Sequence, residues 1–150
     1  MPIKSNKKDH TKLLCDVGEL NHLFSDSQTL EVFLQKIVEL MADHMNSDVC
    51  SIYLYNEDKQ ELVLKATKGL NRTFINNVRL KLGEGLTGLA LKELRPICER
   101  HASQNPHSRY FPGLGEELYE SFLAVPIIRG TTMIGVMVIQ KYAKELFYGK

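Results

Sequence analysis

Apolar residues recur at helical spacing through the first third of the chain. One set lies between residues 9 and 24, at Leu13, Leu14, Val17, Leu20, Leu23 and Phe24. A second set forms one continuous apolar face between residues 29 and 46, at Leu30, Phe33, Leu34, Ile37, Val38, Met41 and Met45. Such spacing is typical of amphipathic helices. We therefore predict two helices, joined by a break in which Ser25 and Gln28 have the spacing of a capping box.

After Asp48 the period of the pattern changes from helical to two, which is typical of β-strands. Strands are predicted at residues 49–55, 61–67, 78–82, 96–99, 121–128 and 132–141. A short helix is predicted at 86–94, and Asn105-Pro106 predicts a further helical turn, since asparagine caps helices and proline suits the first helical position. This order indicates an α+β fold with one mainly antiparallel, six-stranded sheet. We expect N-terminal helices on one face and a pocket of loops and a short helix on the other.

The first predicted strand has two chemically different faces. Cys50, Ile52 and Leu54 share the drier face, which we expect to pack on the helices. The opposite face includes Ser51 and Tyr53, a mixture of small and phenolic groups expected at the floor of a polar cavity. These two hydroxyls are candidate ligand contacts, and cross-strand packing on a solvated face is the alternative.

A glycine-rich turn, Gly83-Glu84-Gly85-Leu86-Thr87-Gly88, precedes the short helix. Backbone N–H groups at a helix N-terminus bind anions, helped by the helix dipole, so Leu86 and Thr87 are candidate ligand contacts. The alternative is a tight turn whose glycines only permit unusual backbone angles. No Lys-Ser or Lys-Thr pair stands at P-loop spacing, which excludes a nucleotide-binding loop of that type.

Four further candidate ligand contacts follow Pro96. Arg109 provides a guanidinium that can hold a carboxylate with two parallel hydrogen bonds, and Tyr110 follows it directly. A surface arginine and a half-buried tyrosine capping the loop are the alternative. Cys98 and His101 complete the candidate set. Acid–base catalysis is not predicted, because no convergent partner is visible for the loop carboxylates Glu84, Glu116, Glu117 and Glu120.

Composition and charge exclude several classes of protein. The chain has 150 residues, which fits one domain, and a formal net charge of +1 without a basic stripe, so nucleic-acid binding is not expected. Residues 1–8 are polar and are expected to form a mobile tail. No stretch approaches the about 20 apolar residues of a transmembrane helix, and no signal peptide is recognisable. We therefore expect a cytoplasmic protein that does not bind membranes.

Cysteine and histidine spacing predicts neither a metal site nor a cofactor. The three cysteines, Cys15, Cys50 and Cys98, lack metal-site or redox-motif spacing and suit a reducing cytosol. The five histidines form no His-x-x-x-His pair, and none lies beside a cysteine.

Five segments, taken in order, carry a resemblance to a known family: the strand Asp48–Leu54 after a helix, the turn Gly83–Gly88, the strand Pro96-Ile97, and the closing strands Phe122–Ile127 and Ile134–Gln140. In this order they resemble a GAF domain, a PAS-like fold, and we assign it to residues 29–142. Residues 9–28 would then be an N-terminal helix and connector. The resemblance implies a ligand-sensing role.

Within that family the chain is similar to the N-terminal sensor domains of nitrogen-related phosphoenolpyruvate–protein phosphotransferases. The similarity lies in Cys50–Leu54, Ala66–Leu70 and Asn105-Pro106 with Arg109-Tyr110. It implies a regulatory domain upstream of phosphotransferase domains, binding a small metabolite such as glutamine or 2-oxoglutarate. The chain departs from the family near His101, where an aspartate is usual. The family's closing helix is also missing, so residues 143–150 are expected to begin a truncated segment.

Three alternatives stay open beside that function, and one expectation concerns assembly. The domain could belong to a transcriptional regulator or signalling kinase, or serve as a dimerisation scaffold without a ligand. It could also be a thiol enzyme like free methionine sulfoxide reductase, but that family has its reactive cysteine where this chain has Thr87. We therefore favour a sensor over an enzyme. The apolar residues of the two helices exceed what one sheet face covers, which predicts a symmetric homodimer.

Overall fold

The structure, a computed structural model, describes residues 29–142. Its helices and strands are α1 (Leu30–His44), β1 (Val49–Asn56), β2 (Glu61–Lys68), β3 (Arg79–Lys81), α2 (Gly85–Glu93), β4 (Ile97–Glu99), β5 (Ser121–Arg129) and β6 (Thr132–Lys141). The predictions for the mobile tail, the first helix, the capping box and the truncated end lie outside the described residues.

All six strands form one antiparallel sheet in the order β3-β2-β1-β6-β5-β4. The sequence-adjacent pairs β1–β2 and β5–β6 are hairpins, and β1 joins them by pairing with β6. The alternating segments therefore paired as expected for antiparallel strands with short connections. The predicted α+β fold and its six strands are confirmed.

Helix α1 covers one face of the sheet. Thr29 caps it, since its Oγ1 accepts a hydrogen bond from the Val32 N–H at 3.3 Å. The helix ends at His44, two residues before the predicted end, and Asn46 adopts a left-handed φ of 50° just beyond it. The buried residues of this interface are Leu34, Val38, Ala42, Cys50, Ile52, Ala66 and Ile139. The expected packing of the Cys50/Ile52 face against a helix is therefore correct.

The opposite face is covered by α2 and by the segment 100–120. Tyr53 and Val136 of the sheet pack there with Leu86 and Leu91 of α2 and with Leu114 of the segment. We expected the floor of a polar cavity on this face, but the structure shows an apolar core with a few polar groups. Ser51 and Tyr53 are fully buried in it, at 0% and 2% exposure.

The segment 100–120 differs from the sequence prediction at Asn105. Its helical turns are short 3₁₀ turns at Ala102–Gln104 and Glu116–Leu118, and none follows Pro106. Instead Asn105 closes a tight turn, because its carbonyl accepts the Ser108 N–H at 3.0 Å and its side chain accepts the His107 N–H at 2.8 Å. Asparagine makes the same bonds in isolated turns as in helix caps, so the helical prediction was wrong here.

Within residues 29–142, neither helix combines the length and apolarity needed to cross a bilayer.

Candidate ligand-binding site

A small cavity lies between the sheet, the first turn of α2 and the segment 100–120. Its polar and glycine lining consists of Tyr53, Gly85, Thr87, Ser108, Arg109, Tyr110 and Glu116. Leu80, Leu86, Phe111 and Phe122 are among its apolar walls. The volume open to the centre of a water molecule is about 10 Å³, which is room for about one water. A ligand of metabolite size therefore requires the wall of the cavity to move.

The first turn of α2 forms one end of the cavity. Gly88 lies so close to the preceding turn that an added Cβ would stand 2.6 Å from the Lys81 carbonyl oxygen. The carbonyl of Gly88 also accepts a hydrogen bond from the Gly83 N–H at 3.0 Å. The backbone there is thus folded tightly back on itself, which fixes where α2 begins. The first N–H groups of a helix have no intrahelical partner and carry the positive end of its dipole. This end of the cavity suits an anionic group.

Arg109 lies at the mouth of the cavity, beside that first turn. Its Nε is 2.7 Å from Oε2 of Glu84, and its guanidinium lies over the Phe111 ring at 5.0 Å from the centroid. The other oxygen of Glu84 accepts the Lys81 N–H at 2.9 Å. The arginine and glutamate side chains are 52% and 31% exposed, so the ion pair is screened by solvent. Because such pairs contribute little stability, Arg109 is free to exchange Glu84 for a ligand carboxylate.

Glu116 places a buried carboxyl group in the cavity wall. The residue is 6% exposed, and burial raises the pKa of its carboxyl group to about 7, with a further increase from the negative charge of Glu117. Gln140 donates a side-chain hydrogen bond to it, which opposes the increase. Burial, and then the nearby Glu116 charge, raise the pKa of Tyr53 in turn. The cavity therefore holds a carboxyl group that is easily protonated near neutral pH.

Two buried oxygens near Glu116 have no hydrogen-bond partner among the described residues: Oη of Tyr110 and Oε1 of Gln140. Buried polar atoms without partners are uncommon in proteins, and water or a ligand usually satisfies them. Burial raises the pKa of Tyr110, with smaller contributions from the charges of Glu120, Glu116 and Glu117. The charge of Glu116 therefore reaches Tyr110, another residue of the cavity lining.

The structure brings five of the eight predicted contacts together: Tyr53, Leu86, Thr87, Arg109 and Tyr110 all line the cavity. Ser51 does not line it, because its hydroxyl is hydrogen-bonded to Thr67 Oγ1 at 2.8 Å inside the core. Cys98 and His101 are exposed and also lie outside the lining. Cys98 follows Ile97 on an edge strand, so alternation turns it to the other face of the sheet.

Sequence reasoning missed Glu116 as a site residue. It begins a short 3₁₀ turn in an otherwise irregular segment, and its partner Gln140 is 24 residues further along the chain, on the last strand. The one available signal was Gln140 itself, a polar residue on the same strand face as the buried Val136 and Val138. A buried glutamine on such a face requires a polar partner across the core.

The thiols of the described residues do not form a redox pair. Cys50 is buried beneath α1, and burial raises the pKa of its thiol to about 12, which removes the thiolate needed for nucleophilic attack. Cys98 is exposed on the edge strand. Among residues 29–142 no group of histidine, cysteine or carboxylate side chains has the arrangement of a metal site.

Comparison with known proteins identifies relatives for most of the chain. The family model described as "GAF domain" matches residues 27–149. The chain is 37% identical over 117 residues to the "Phosphoenolpyruvate-dependent phosphotransferase system" protein of Escherichia coli strain K12, covering 78% of this chain and 16% of that relative. The GAF domain of an Acinetobacter phosphoenolpyruvate-protein phosphotransferase superimposes with a TM-score of 0.77 at 34% identity, over 91% of this chain and 78% of that one. The corresponding domain from Coxiella burnetii gives 0.79 at 33% identity, over 94% and 82%.

More distant matches include proteins of other functions. A Nif-specific regulatory protein of Azospirillum lipoferum is 27% identical over 135 residues, covering 88% of this chain and 22% of that relative. Free methionine-R-sulfoxide reductase from Neisseria meningitidis shares the fold, with a TM-score of 0.65 at 17% identity over 85% of this chain and 73% of that one. The fold is therefore common to regulators and enzymes, and the site must decide between them.

Proposed function

The chain belongs to the GAF domain family, and on that premise we propose that it is the small-molecule-sensing, regulatory domain of a phosphoenolpyruvate–protein phosphotransferase in a nitrogen-metabolism phosphorelay. The similarity to the GAF domains of two such transferases supports the proposal that the chain is part of a transferase of this kind. The chain spans 16% of the length of its Escherichia coli relative. In this proposal the phosphotransfer chemistry belongs to domains downstream of this one.

The observation that carries the sensing role is the cavity at the N-terminus of α2. First-turn amides of α2, which have no intrahelical partner, and an arginine in an exposed ion pair lie at one end, and hydroxyl and carboxyl groups line the rest. Binding sites combine apolar walls with a small number of such convergent polar groups. A metabolite carboxylate would take the first-turn amides and Arg109 as charge partners. Glutamine and 2-oxoglutarate are the proposed ligands, because both carry a carboxylate and both report nitrogen or carbon status.

Binding in so small a cavity implies a conformational change. The wall from Ser108 to Glu116 has no strand. Its regular structure is a turn closed by the Leu114 N–H on the Phe111 carbonyl at 3.1 Å and the start of the 3₁₀ turn at Glu116, so few backbone bonds resist its displacement. Its main anchor is Leu114, which is 1% exposed and whose carbonyl accepts the Asn71 N–H at 3.1 Å. A ligand that binds only when this wall moves outward shifts the population toward that state. We propose that this shift is the signal passed to the downstream domains.

The proposed assembly is a homodimer through α1 and the segment that precedes it. Leu30 and Val32 at the start of α1 are 51% and 44% exposed, which leaves apolar surface for a partner. The preceding segment lies outside the described residues. Light scattering at tens of micromolar tests this point, and a monomeric mass would count against it.

A sensor domain of a transcriptional regulator is the second candidate, supported by the match to the Nif-specific regulatory protein. It would use the same cavity and differ in the downstream domains. A thiol reductase has less support, since Thr87 stands where the resemblance places the reactive cysteine and Cys50 is buried as a thiol.

Calorimetry of the chain with glutamine, 2-oxoglutarate and nucleotides tests the sensing role. We expect heat with at least one of the two metabolites and none with nucleotides. Arg109→Ala should weaken that binding by about 1.5–3 kcal/mol, the usual contribution of a hydrogen bond to a charged group. Arg95→Ala is the matched control, because Arg95 pairs with Glu93 at the other end of α2. Equal affinity in the Arg109 variant would remove Arg109 from the site, and no heat with any ligand would favour the scaffold alternative.

A further inference from the structure

The wall of the cavity continues into a short turn that packs against the end of β6. This closing turn, residues 116–119, is held by a hydrogen bond from the Tyr119 N–H to the Glu116 carbonyl at 3.0 Å. The Glu116 side chain accepts a hydrogen bond from Gln140 of β6. The Tyr119 ring lies 5.0 Å from the Tyr142 ring, centroid to centroid, at an interplanar angle of 42°. The closing turn therefore contacts two residues that stand two positions apart at the end of β6.

Asp48 contacts the same end of β6 from the other side. Its Oδ2 accepts the Tyr142 N–H at 3.0 Å, and its own N–H donates to the Gln140 carbonyl at 3.1 Å. Burial raises the pKa of Tyr119, followed by the charge and a side-chain hydrogen bond of Tyr142 and then by the charge of Asp48. Asp48 directly precedes β1, a central strand of the sheet. Tyr142 thus lies between a residue fixed on the sheet and a residue of the irregular segment 100–120.

Tyr142 stands where the regular structure of the last strand stops. β6 ends at Lys141, and Tyr142 is 48% exposed. A half-exposed residue beyond the end of a strand opens at a lower free energy than the core does. In the proposed transferase the chain runs on from this point toward the downstream domains. A change in how Tyr142 is held is therefore a change at the start of that connection.

The closing turn offers a more direct path out of the cavity than α1 does. Helix α1 packs on the opposite face of the sheet, and none of the residues buried beneath it lines the cavity. Glu116 lines the cavity and also belongs to the closing turn. Because a backbone hydrogen bond ties Glu116 to Tyr119, an outward shift of the wall draws the whole turn away from Gln140 and Tyr142.

We propose that the contact of the closing turn with Gln140 and Tyr142 is the output element of the domain, through which outward movement of the cavity wall releases the chain at Tyr142. The proposal rests on the proposed sensing function and adds the route by which the site is read out. Tyr119 and Tyr142 are positioning residues and lie outside the cavity lining. Wall and exit share one equilibrium, so a change at either end shifts the other.

Amide hydrogen exchange of the variant Tyr142→Ala tests this link without any ligand. Loss of the ring contact should loosen the closing turn and the wall behind it, so the amides of Tyr119 and Leu114 should exchange about three- to ten-fold faster. Both amides are hydrogen-bonded within the segment 100–120, so their exchange reports its opening. Ile128→Ala is the matched control, because Ile128 is 39% exposed at the other end of the β5–β6 hairpin, and it should leave both rates unchanged.

The pattern of exchange across the chain decides the outcome. Amides of α1 serve as the internal standard for global stability and should keep their rates in Tyr142→Ala. Faster exchange confined to Tyr119, whose ring touches the substituted one, would overturn the proposal because the wall would then be unaffected. An equal increase throughout α1 would overturn it as well, since the whole domain would be destabilised.

An amide NMR titration of the unaltered chain with L-glutamine and with 2-oxoglutarate separates the output element from the function on which it rests. The signals of Gln140 and Tyr142 should follow the same saturation curve as those of the wall 108–116. Saturable shifts in the wall without shifts at Gln140 and Tyr142 would overturn the output element and leave the sensing function in place. No saturable shift with either compound would overturn the sensing function, and the exchange experiment would then decide the link by itself.

Discussion

At the scale of single residues, two buried polar pairs on the same sheet face have different roles. Ser51 and Thr67 satisfy each other at 2.8 Å and leave no group for a ligand. Glu116 and Gln140 do not fully satisfy each other. Gln140 Oε1 has no hydrogen-bond partner among the described residues, and Glu116 lines the cavity. The sequence offered Ser51 as a candidate and passed over Glu116. Residue type could not separate them, because the difference lies in whether a partner stands across the fold.

Ser51→Ala should lower stability and leave ligand binding unchanged. The substitution leaves Thr67 Oγ1 buried without a partner, which costs about 1–3 kcal/mol of unfolding free energy. Urea unfolding measures the loss, and calorimetry measures the affinity. The double variant Ser51→Ala/Thr67→Val removes both polar groups and should recover most of the stability. A drop in metabolite affinity with Ser51→Ala would return Ser51 to the binding site.

Glu116 should make stability fall as pH rises toward neutrality. Because its carboxyl pKa is raised from 4.5 to about 7 in the folded chain, the folded state holds a proton that the unfolded state has released. Its contribution is complete below pH 4.5 and is lost as pH passes through about 7, by at most about 1.4 kcal/mol per pH unit. In Glu116→Gln the neutral side chain removes this loss.

Urea unfolding of both proteins at pH 5, 6, 7 and 8 isolates this effect. Two other carboxyl groups also titrate abnormally: a hydrogen bond from Asn105 lowers the pKa of Glu99, and hydrogen bonds from Ser103 lower the pKa of Glu120. Both proteins contain these groups, so their effect on stability cancels in the difference. The variant should gain stability relative to the unaltered chain as pH rises. A difference that stays constant from pH 5 to 8 would show that Glu116 titrates normally.

At the scale of elements, regular alternation was a reliable guide and local turn signals were not. The hairpins β1–β2 and β5–β6 followed from period-two patterns with short connections, and their register places Cys50 and Ile52 under α1. The prediction of a helical turn after Asn105 was wrong because an asparagine side chain makes the same hydrogen bonds in a single tight turn as at the start of a helix. The Gly83–Gly88 turn was identified, but its tight packing appears only in three dimensions.

Gly88→Ala should destabilise the domain although Gly88 lies within α2. Alanine normally favours a helix over glycine by about 1 kcal/mol. Here the added Cβ would stand 2.6 Å from the Lys81 carbonyl oxygen, so the backbone must shift, at a cost of about 1–3 kcal/mol. Gly130→Ala is the comparison, because no atom lies within 4 Å of its added Cβ and only its φ of +61° opposes the change. Thermal unfolding with a raised midpoint for Gly88→Ala would contradict this packing.

At the scale of the whole molecule, the sheet separates two packed layers. One face packs on α1, the helix proposed to lie at the dimer contact, and the other faces α2 and the segment that encloses the cavity. The order of elements was enough to predict this division. The composition of the cavity was not, because its lining comes from β1, β3, α2, β5 and the segment 100–120, which are distant in sequence. Such a lining depends on how the irregular segment 100–120 crosses the sheet, and the periodicity of apolar residues in the sequence carries no information on that path.

An amide NMR titration with L-glutamine tests the sensing claim most directly. The ¹H–¹⁵N signals of Gly85, Leu86 and Thr87 and of the wall 108–116 should shift together and saturate, because the ligand contacts the first turn and displaces the wall. Signals of α1, which packs on the opposite face of the sheet, should stay in place. No saturable shift with glutamine, glutamate or 2-oxoglutarate, or shifts confined to residues outside the cavity, would contradict the claim that this domain senses a metabolite through this site.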